Sequence, residues 1–393
     1  MKKIINPGNV FLNLIAPPSK SIAIRMVAAT LLSLRNVGDS ASISDFPTCD
    51  DALVALNIAQ NLGYAIERDS LNNVTITRTN ANIADAISCG ESALCYRLFP
   101  YISAFLGYKI DWIAEGTLRS RVGKWQMPEI NTGVYDMDCI TTSQELSASL
   151  FALPLCKEDT RITAKNLRSS GYIDLTIDIL RQFGIVIDRN GDEFTIDGNQ
   201  TYKPANTTIE GDWSCVANLF VLGAIGGTVT IANLNKNSLQ PDVAILNLFN
   251  DLNIACRELA EGVFRIGKSN YNGFEYDGSN TPDLIPPLVV LALNALSPSK
   301  ISGIDRLVNK ESNRRDVLLK VFSMFGAKIR ICDDGNSFEL TPSKISGGFA
   351  DSHNDHRIAM AVAIAAQVAK KATTLTGIEC VNKSFPDFFN YIR

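Results

Sequence analysis

Residues Ser19–Leu32 read SKSIAIRMVAATLL: two hydroxyls and a lysine at the front, then small and apolar residues interrupted only by Arg25. A helix with apolar residues on every face must be buried all round. Its front end is the puzzle. Serine suits an N-cap, yet cations at that end oppose the helix dipole. A bound anion would remove the conflict, because free N–H groups, hydroxyls, Lys20 and Arg25 could all face it. The glycines of a nucleotide P-loop are absent. A capped core helix with two snorkelling cations is the plainer alternative.

The same design recurs five times. It is seen in ESALCYRLFPYISAFL from Glu91, SQELSASLFALPL from Ser143, DWSCVANLFVLGAI from Asp212, DLIPPLVVLALNAL from Asp283 and DHRIAMAVAIAAQVA from Asp355. The starts lie 72, 52, 69, 71 and 72 residues apart. Spacing this regular predicts six related repeats of about 70 residues. A second pattern runs between them: an amphipathic helix, a turn residue, then two strands joined by a polar turn. It occupies Ala55–Ile76, Leu175–Ile196, Ala244–Ile266 and Leu318–Leu340, with turns at Gly63, Gly184, Asn253 and Gly326. One copy is missing in the 52-residue interval, where RVGKWQMPEINTGVYDMDC (Arg121–Cys139) has neither the helix nor the hairpin. Five complete repeats and one shortened by about 20 residues are therefore expected, grouped three to a domain.

Composition narrows the function. The 393 residues allow two or more domains, and 46% hydrophobic with 20% charged content describes an ordinary globular chain with ample core. A net charge of −4 argues against general attraction to nucleic acid or anionic membrane, so anion binding must come from local placement of cations. Nine cysteines with no CxxC spacing suggest reduced thiols. Pro7, Gly8 and three asparagines break any signal-peptide core, and runs such as Leu284–Leu296 are too short to span a bilayer. A cytoplasmic protein is expected.

Polar residues gather at the helix fronts. TPDLIPP (Thr281–Pro287) carries Asp283; VNKESNRRD (Val308–Asp316) sets Lys310, Glu311 and Arg314 close together; CVNKSFPDFF (Cys380–Phe389) carries Lys383. SHNDHRIAM (Ser352–Met360) holds both histidines of the chain, His353 and His356, beside Arg357. Each has a bland reading as an N-cap or a solvated helical face. HNDH resembles a two-ligand metal pair, but zinc needs at least a third protein ligand, and no metal is expected. No GxSxG elbow supports a serine hydrolase.

Taken in order, these segments resemble the 5-enolpyruvylshikimate-3-phosphate synthase family. PSKSIAIR resembles its first signature at Lys20, Ser21 and Arg25. LRSR matches at Arg119, TSQ at Thr142, Ser143 and Gln144, and SSGYID at Ser169 and Tyr172. EGDWS and SLQPD (Ser238–Asp242) also match, as do TPD at Asp283, KESNR at Lys310, Glu311 and Arg314, NDHRIAM at Arg357 and NKSFPDFF at Lys383. The resemblance runs from about residue 16 to the C-terminus. It implies a two-domain α/β fold, each domain built from three βαβαββ repeats, one of them shortened. An inserted domain would span residues 19–208, and a discontinuous one would join 1–18 to 209–393. The buried helices would then aim their N-termini into an interdomain cleft.

The resemblance also implies the chemistry: transfer of the enolpyruvyl group of phosphoenolpyruvate to the 5-hydroxyl of shikimate 3-phosphate, on the route to chorismate and the aromatic amino acids. No cofactor is implied, and a monomer is expected. Lys20, Ser21, Arg25, Thr142, Ser143, Gln144, Ser169, Tyr172, Asp283 and Lys310 would hold shikimate 3-phosphate. Lys20, Ala93, Arg119, Gln144, Arg314, Arg357 and Lys383 would hold phosphoenolpyruvate. Asp283, Glu311 and Lys20 would move protons. The second signature departs from the family's GNxGTxxR, reading GESALCYR at Gly90–Arg97. Ala93 puts a methyl where glycine is usual, Glu91 a carboxylate where asparagine is common, and Leu94 replaces threonine, so weak inhibition by glyphosate is expected. Arg306 stands where many members have a substrate-binding polar residue and is left out of the site. Rival readings are a non-catalytic or altered-specificity relative that binds phosphorylated carboxylates, the sister enolpyruvyl transferase for UDP-N-acetylglucosamine, and an RNA 3′-phosphate cyclase. Ser21 after Lys20 opposes the second, where a Lys-Asn pair is usual, and the acidic balance opposes the third.

Overall fold

The structure, a computed structural model, describes residues 1–123 and 130–393. The Lys124–Glu129 part of the shortened stretch lies outside them. The chain divides into two compact units, Pro18–Glu210 (the inserted unit) and Met1–Pro17 with Gly211–Arg393 (the split unit).

In the inserted unit the helices are α1 (Lys20–Ser33), α2 (Asp50–Asn61), α3 (Ala93–Phe105), α4 (Gly116–Val122), α5 (Gln144–Ala152) and α6 (Gly171–Gln182). In the split unit they are α7 (Trp213–Gly226), α8 (Ile245–Asp251), α9 (Ile285–Leu293), α10 (Arg314–Met324) and α11 (His356–Ala366). The six helices expected to be apolar all round are α1, α3, α5, α7, α9 and α11, each beginning within two residues of its expected start. They form the two cores. Helix α3 packs against α1 and α5, while α7, α9 and α11 pack against one another. Residues from Trp213 to Ile225 are all buried, as an apolar helix surrounded by protein requires.

Four repeats carry a four-stranded sheet of one design. Two strands are parallel, and a hairpin adds its second strand antiparallel beside them; in two of the four, the parallel strands follow one another across α5 or α9, and in the other two they come from distant parts of the chain. In order across the sheet these are Thr207–Thr208, Ser40–Ser44, Val74–Arg78 and Tyr64–Arg68 in one repeat, and Gly133–Asp138, Thr160–Lys165, Glu193–Ile196 and Asp188–Asn190 in the next. The split unit has Val10–Ile15, Gly227–Ala232, Val263–Gly267 and Cys256–Ala260, then Glu275–Asp277, Ser299–Ser302, Ser337–Thr341 and Lys328–Ile331. All four expected turn residues have positive φ: 86° at Gly63, 81° at Gly184, 53° at Asn253 and 83° at Gly326. Glycine takes this left-handed conformation freely, and asparagine is among the few other residues that tolerate it.

The shortened repeat keeps only two described strands, Ala86–Ser88 parallel to Asp111–Ile113, followed by the seven-residue α4. A second abbreviation was not visible in the spacing. The last repeat pairs Phe349–Asp351 with Thr373–Thr376 and takes its third strand, Lys2–Ile5, from the N-terminus. A 3₁₀ turn at Ile378–Lys383 stands where its second helix would be.

Candidate active site

The front of α1 is unusual for a buried helix. Ser19 is the N-cap residue but makes no side-chain cap, and no acid lies in the first turn. Lys20 Nζ meets Asp51 Oδ2 at 3.0 Å. One turn on, Arg25 is 2% exposed. Its Nε donates to Thr176 Oγ1 at 2.8 Å, its Nη1 to the Ser21 carbonyl at 2.9 Å, and its guanidinium carbon lies 5.8 Å from the Tyr172 ring centre. Among the described residues no carboxylate pairs with it. Burial lowers its pKa to about 10, which still leaves it charged at neutrality. A buried cation without a counter-charge is costly unless something supplies one.

The other expected residues of this unit are placed as follows. Thr142 Oγ1 accepts from the Gln144 N–H at 3.1 Å at the start of α5, and Gln144 Oε1 accepts from Arg97 Nη1 at 2.8 Å. Ser143 and Ser169 are buried, and Ser169 holds φ at 56° at the entry to α6, where Tyr172 sits. Ala93 is the first residue of α3. Arg119 lies exposed on α4, with its Nε on the Ala114 carbonyl at 3.0 Å, and shares no contact with the Arg25 group among the described residues. Thr117 Oγ1 of the same helix donates to Glu91 Oε2 at 2.7 Å.

The split unit builds the opposite arrangement. Arg314, the first residue of α10 and 1% exposed, donates to three carboxylates: Nη1 to Asp283 Oδ1 at 2.8 Å, Nη2 to Glu311 Oε2 at 2.7 Å, and Nε to Asp355 Oδ2 at 2.8 Å. Arg357 on α11 sends Nη2 to Asp283 Oδ2 at 3.0 Å and Nη1 to the Ser214 carbonyl at 2.6 Å. Both oxygens of Asp283 are thus held by guanidinium groups. Burial pushes its carboxyl up, but Arg357, Arg314 and Lys310 outweigh burial and hold it far below the usual carboxylate range. Burial likewise depresses Arg314 and Arg357, and the surrounding carboxylates more than restore them. Burial lowers the Lys310 ammonium even though Asp283 pulls it upward. Lys383 ends the 3₁₀ turn and is buried.

Several participants were not singled out from sequence: Asp51, Arg97, Thr176, Ser214 and Asp355. Asp355 caps α11, accepts from the Arg357 N–H at 2.9 Å, and receives Ser312 Oγ at 2.9 Å. The sequence marks it as the acidic start of the sixth apolar helix and gives no sign that it meets Arg314. Glu311, Asp355 and His356 present ligand atoms within 4.8 Å of one another, without His353. Arg314 already donates to both carboxylates of this group.

The family model for EPSP synthase (3-phosphoshikimate 1-carboxyvinyltransferase) matches residues 105–392. A 3-phosphoshikimate 1-carboxyvinyltransferase of Clostridium perfringens is 33% identical, with 99% of this chain and 97% of that protein covered. One of Clostridium kluyveri is 30% identical over 99% and 96%. Among solved structures, EPSP synthase from Acinetobacter baumannii superposes with a TM-score of 0.80 at 22% identity, covering 99% of this chain and 97% of that one. The enolpyruvyl transferase NikO from Streptomyces tendae gives 0.75 at 14% identity, covering 99% and 96%, and shares the fold. With near-complete coverage at this identity, and a family model spanning most of the sequence, the chain belongs to the EPSP synthase family.

Proposed function

We propose that this protein is a 3-phosphoshikimate 1-carboxyvinyltransferase, acting as a cytoplasmic monomer that needs no cofactor. The observation that carries the reading is Arg25, a buried arginine with neutral partners only among the described residues. A phosphorylated carboxylate supplies the charge it lacks, and a guanidinium fork suits such oxyanions. All nine cysteines are free thiols, in keeping with a reducing compartment. No helix among the described residues is long and apolar enough to cross a membrane.

In this reading Arg25, Ser21, Thr142, Ser143, Gln144 and Ser169 hold shikimate 3-phosphate with Tyr172 beside them, and Asp283 and Lys310 meet the same substrate. Arg119, Arg314, Arg357, Lys383, Gln144 and the Ala93 backbone hold phosphoenolpyruvate, and Lys20 touches both. Asp283 takes the 5-hydroxyl proton as that oxygen bonds to C2 of the enol and C3 gains a proton. The adduct then loses a C3 proton as the C2–O bond to phosphate breaks. Glu311 and Lys20 share these C3 and leaving-group transfers.

The arginine clamp explains how Asp283 acquires basicity. While Arg314 and Arg357 hold it, its carboxylate is a weak base. An incoming phosphate or carboxylate competes for those guanidinium groups and releases Asp283 toward ordinary basicity. The test is phosphate release with both substrates present and with each omitted. Release that requires both is expected; binding of both without release would make the protein a non-catalytic relative.

A further inference from the structure

Two motifs have no part in the chemistry above, EGDWS at the start of α7 and SLQPD at Ser238–Asp242. They are joined. Gln240 Oε1 accepts from the Trp213 N–H at 3.1 Å, and its Nε2 donates to the Gly211 carbonyl at 2.8 Å. Asp242, 1% exposed and on the 3₁₀ turn Pro241–Ala244, accepts from Ser214 Oγ. The Ser214 carbonyl in turn receives Arg357 Nη1 at 2.6 Å. A chain of hydrogen bonds thus runs from a fully buried acid, through one serine, to an arginine that also grips Asp283.

We propose that Asp242, acting through Ser214, is a positioning residue that sets the pose of Arg357 toward the phospho-acid it binds. Fixing the Ser214 hydroxyl fixes the peptide carrying its carbonyl, and the carbonyl fixes one arm of the guanidinium. The other arm is left to choose between Asp283 and substrate. This inference rests on the functional reading above.

The electrostatics add a readout. Burial, then the nearby Asp283, push the Asp242 carboxyl up to about 7, against the Ser214 hydrogen bond and Arg357, which pull it down, and with Asp212 pushing the same way as Asp283. Tyr276 also faces this charge, and burial holds that phenol neutral, up to about 12. Below neutrality Asp242 therefore carries a proton; above it, a second negative charge stands beside Arg357 and Asp283. That charge weakens attraction for an anionic substrate as pH rises.

The experiment compares wild type with Ser214→Ala, Asp242→Asn and Asp242→Ala, all as full-length protein. Removing either hydrogen-bond partner (S214A or D242A) should raise KM for phosphoenolpyruvate about 3- to 10-fold, the worth of one hydrogen bond. KM for shikimate 3-phosphate should stay within about twofold. Should D242A fail to fold, S214A and D242N still decide. D242N keeps an acceptor but cannot ionise, so the ratio of wild-type to D242N KM for phosphoenolpyruvate should climb between pH 6 and 8. Taking the ratio cancels the substrate's own phosphate titration in that range. The Arg357 Nε–H NMR signal, assigned through Arg357→Lys, should move in S214A. Equal shifts in both KM values, a ratio flat with pH, or an unmoved Arg357 signal would each overturn the proposal. A wild type that releases no phosphate would instead overturn the functional reading, and the Arg357 signal would still judge the clasp.

Discussion

Arg25 and Arg314 are both buried arginines near the front of a helix, yet they are balanced in opposite ways. Around Arg314 stand three carboxylates within 2.8 Å, whereas Arg25 has a hydroxyl, a carbonyl and an aromatic ring. The first arrangement is neutralised within the protein, so in the proposed site a ligand has to displace an acid from it. The second has no acid beside it, so in the proposed site the substrate supplies the counter-charge. The inventory of acids around a buried arginine therefore sets what an incoming anion must displace.

The contrast can be broken first at Asp283. Asp283→Ala should fold and lose about 10²- to 10⁴-fold in turnover, the usual worth of a positioned base. Unchanged turnover would remove it from the mechanism. Next, Arg314→Met takes the arginine from Glu311 and from the fully buried Asp355, leaves Asp283 to Arg357 alone among the guanidinium groups, and should destabilise by about 3–5 kcal/mol in denaturant unfolding. Arg25→Met strands no acid. It should leave stability equal or raised while lifting KM for shikimate 3-phosphate roughly 10- to 100-fold, through loss of charge-assisted hydrogen bonds. Similar stability losses in the two variants would erase the distinction.

Acid sharpens the comparison further. The Asp283 carboxyl is depressed in the folded state, so its contribution to stability is fully present above the ordinary carboxylate range, begins to fall below about 4, and is gone only once pH passes the depressed folded value. The gap in melting temperature between wild type and Asp283→Asn should begin to narrow as pH drops from about 5 to 3. Curves that stay parallel would mean that the arginines do not hold this carboxylate. The smallest effect is expected at Ala93. Restoring Gly there should tighten glyphosate inhibition about 5- to 150-fold, by the roughly 1–3 kcal/mol that an added methyl costs in a packed site. Tight inhibition of wild type itself would contradict this.

How much of this was legible in the sequence follows from what each feature depends on. The six buried helices and four helix–hairpin patterns are local, written in apolar periodicity and in turn residues such as Gly63 and Asn253, so they could be read directly. The pairing of Lys2–Ile5 with Thr373–Thr376 depends on strands more than 360 residues apart, which no local pattern encodes. In the site, Lys20 and Arg25 were legible because they break the front of an apolar helix, and Asp283, Glu311 and Arg314 because they gather at helix fronts. Two further acids were not. Asp51 in CDD and Asp355 in NDHR look like ordinary first-turn or N-cap residues, and only the packing of α2 beside α1, or of α11 beside α10, turns them toward Lys20 and Arg314.

The central physical claim is that Asp283 occupies Arg314 and Arg357 until a phospho-acid displaces it. Carboxyl carbon NMR of Asp283, assigned through Asp283→Asn, tests this in free protein and with saturating shikimate 3-phosphate plus inorganic phosphate, a mixture that cannot react. The free protein should show Asp283 ionised throughout pH 4 to 8, with its midpoint moving up toward the ordinary carboxylate range once the anions bind. A midpoint already ordinary in the free protein, or unmoved by the anions, would contradict the account.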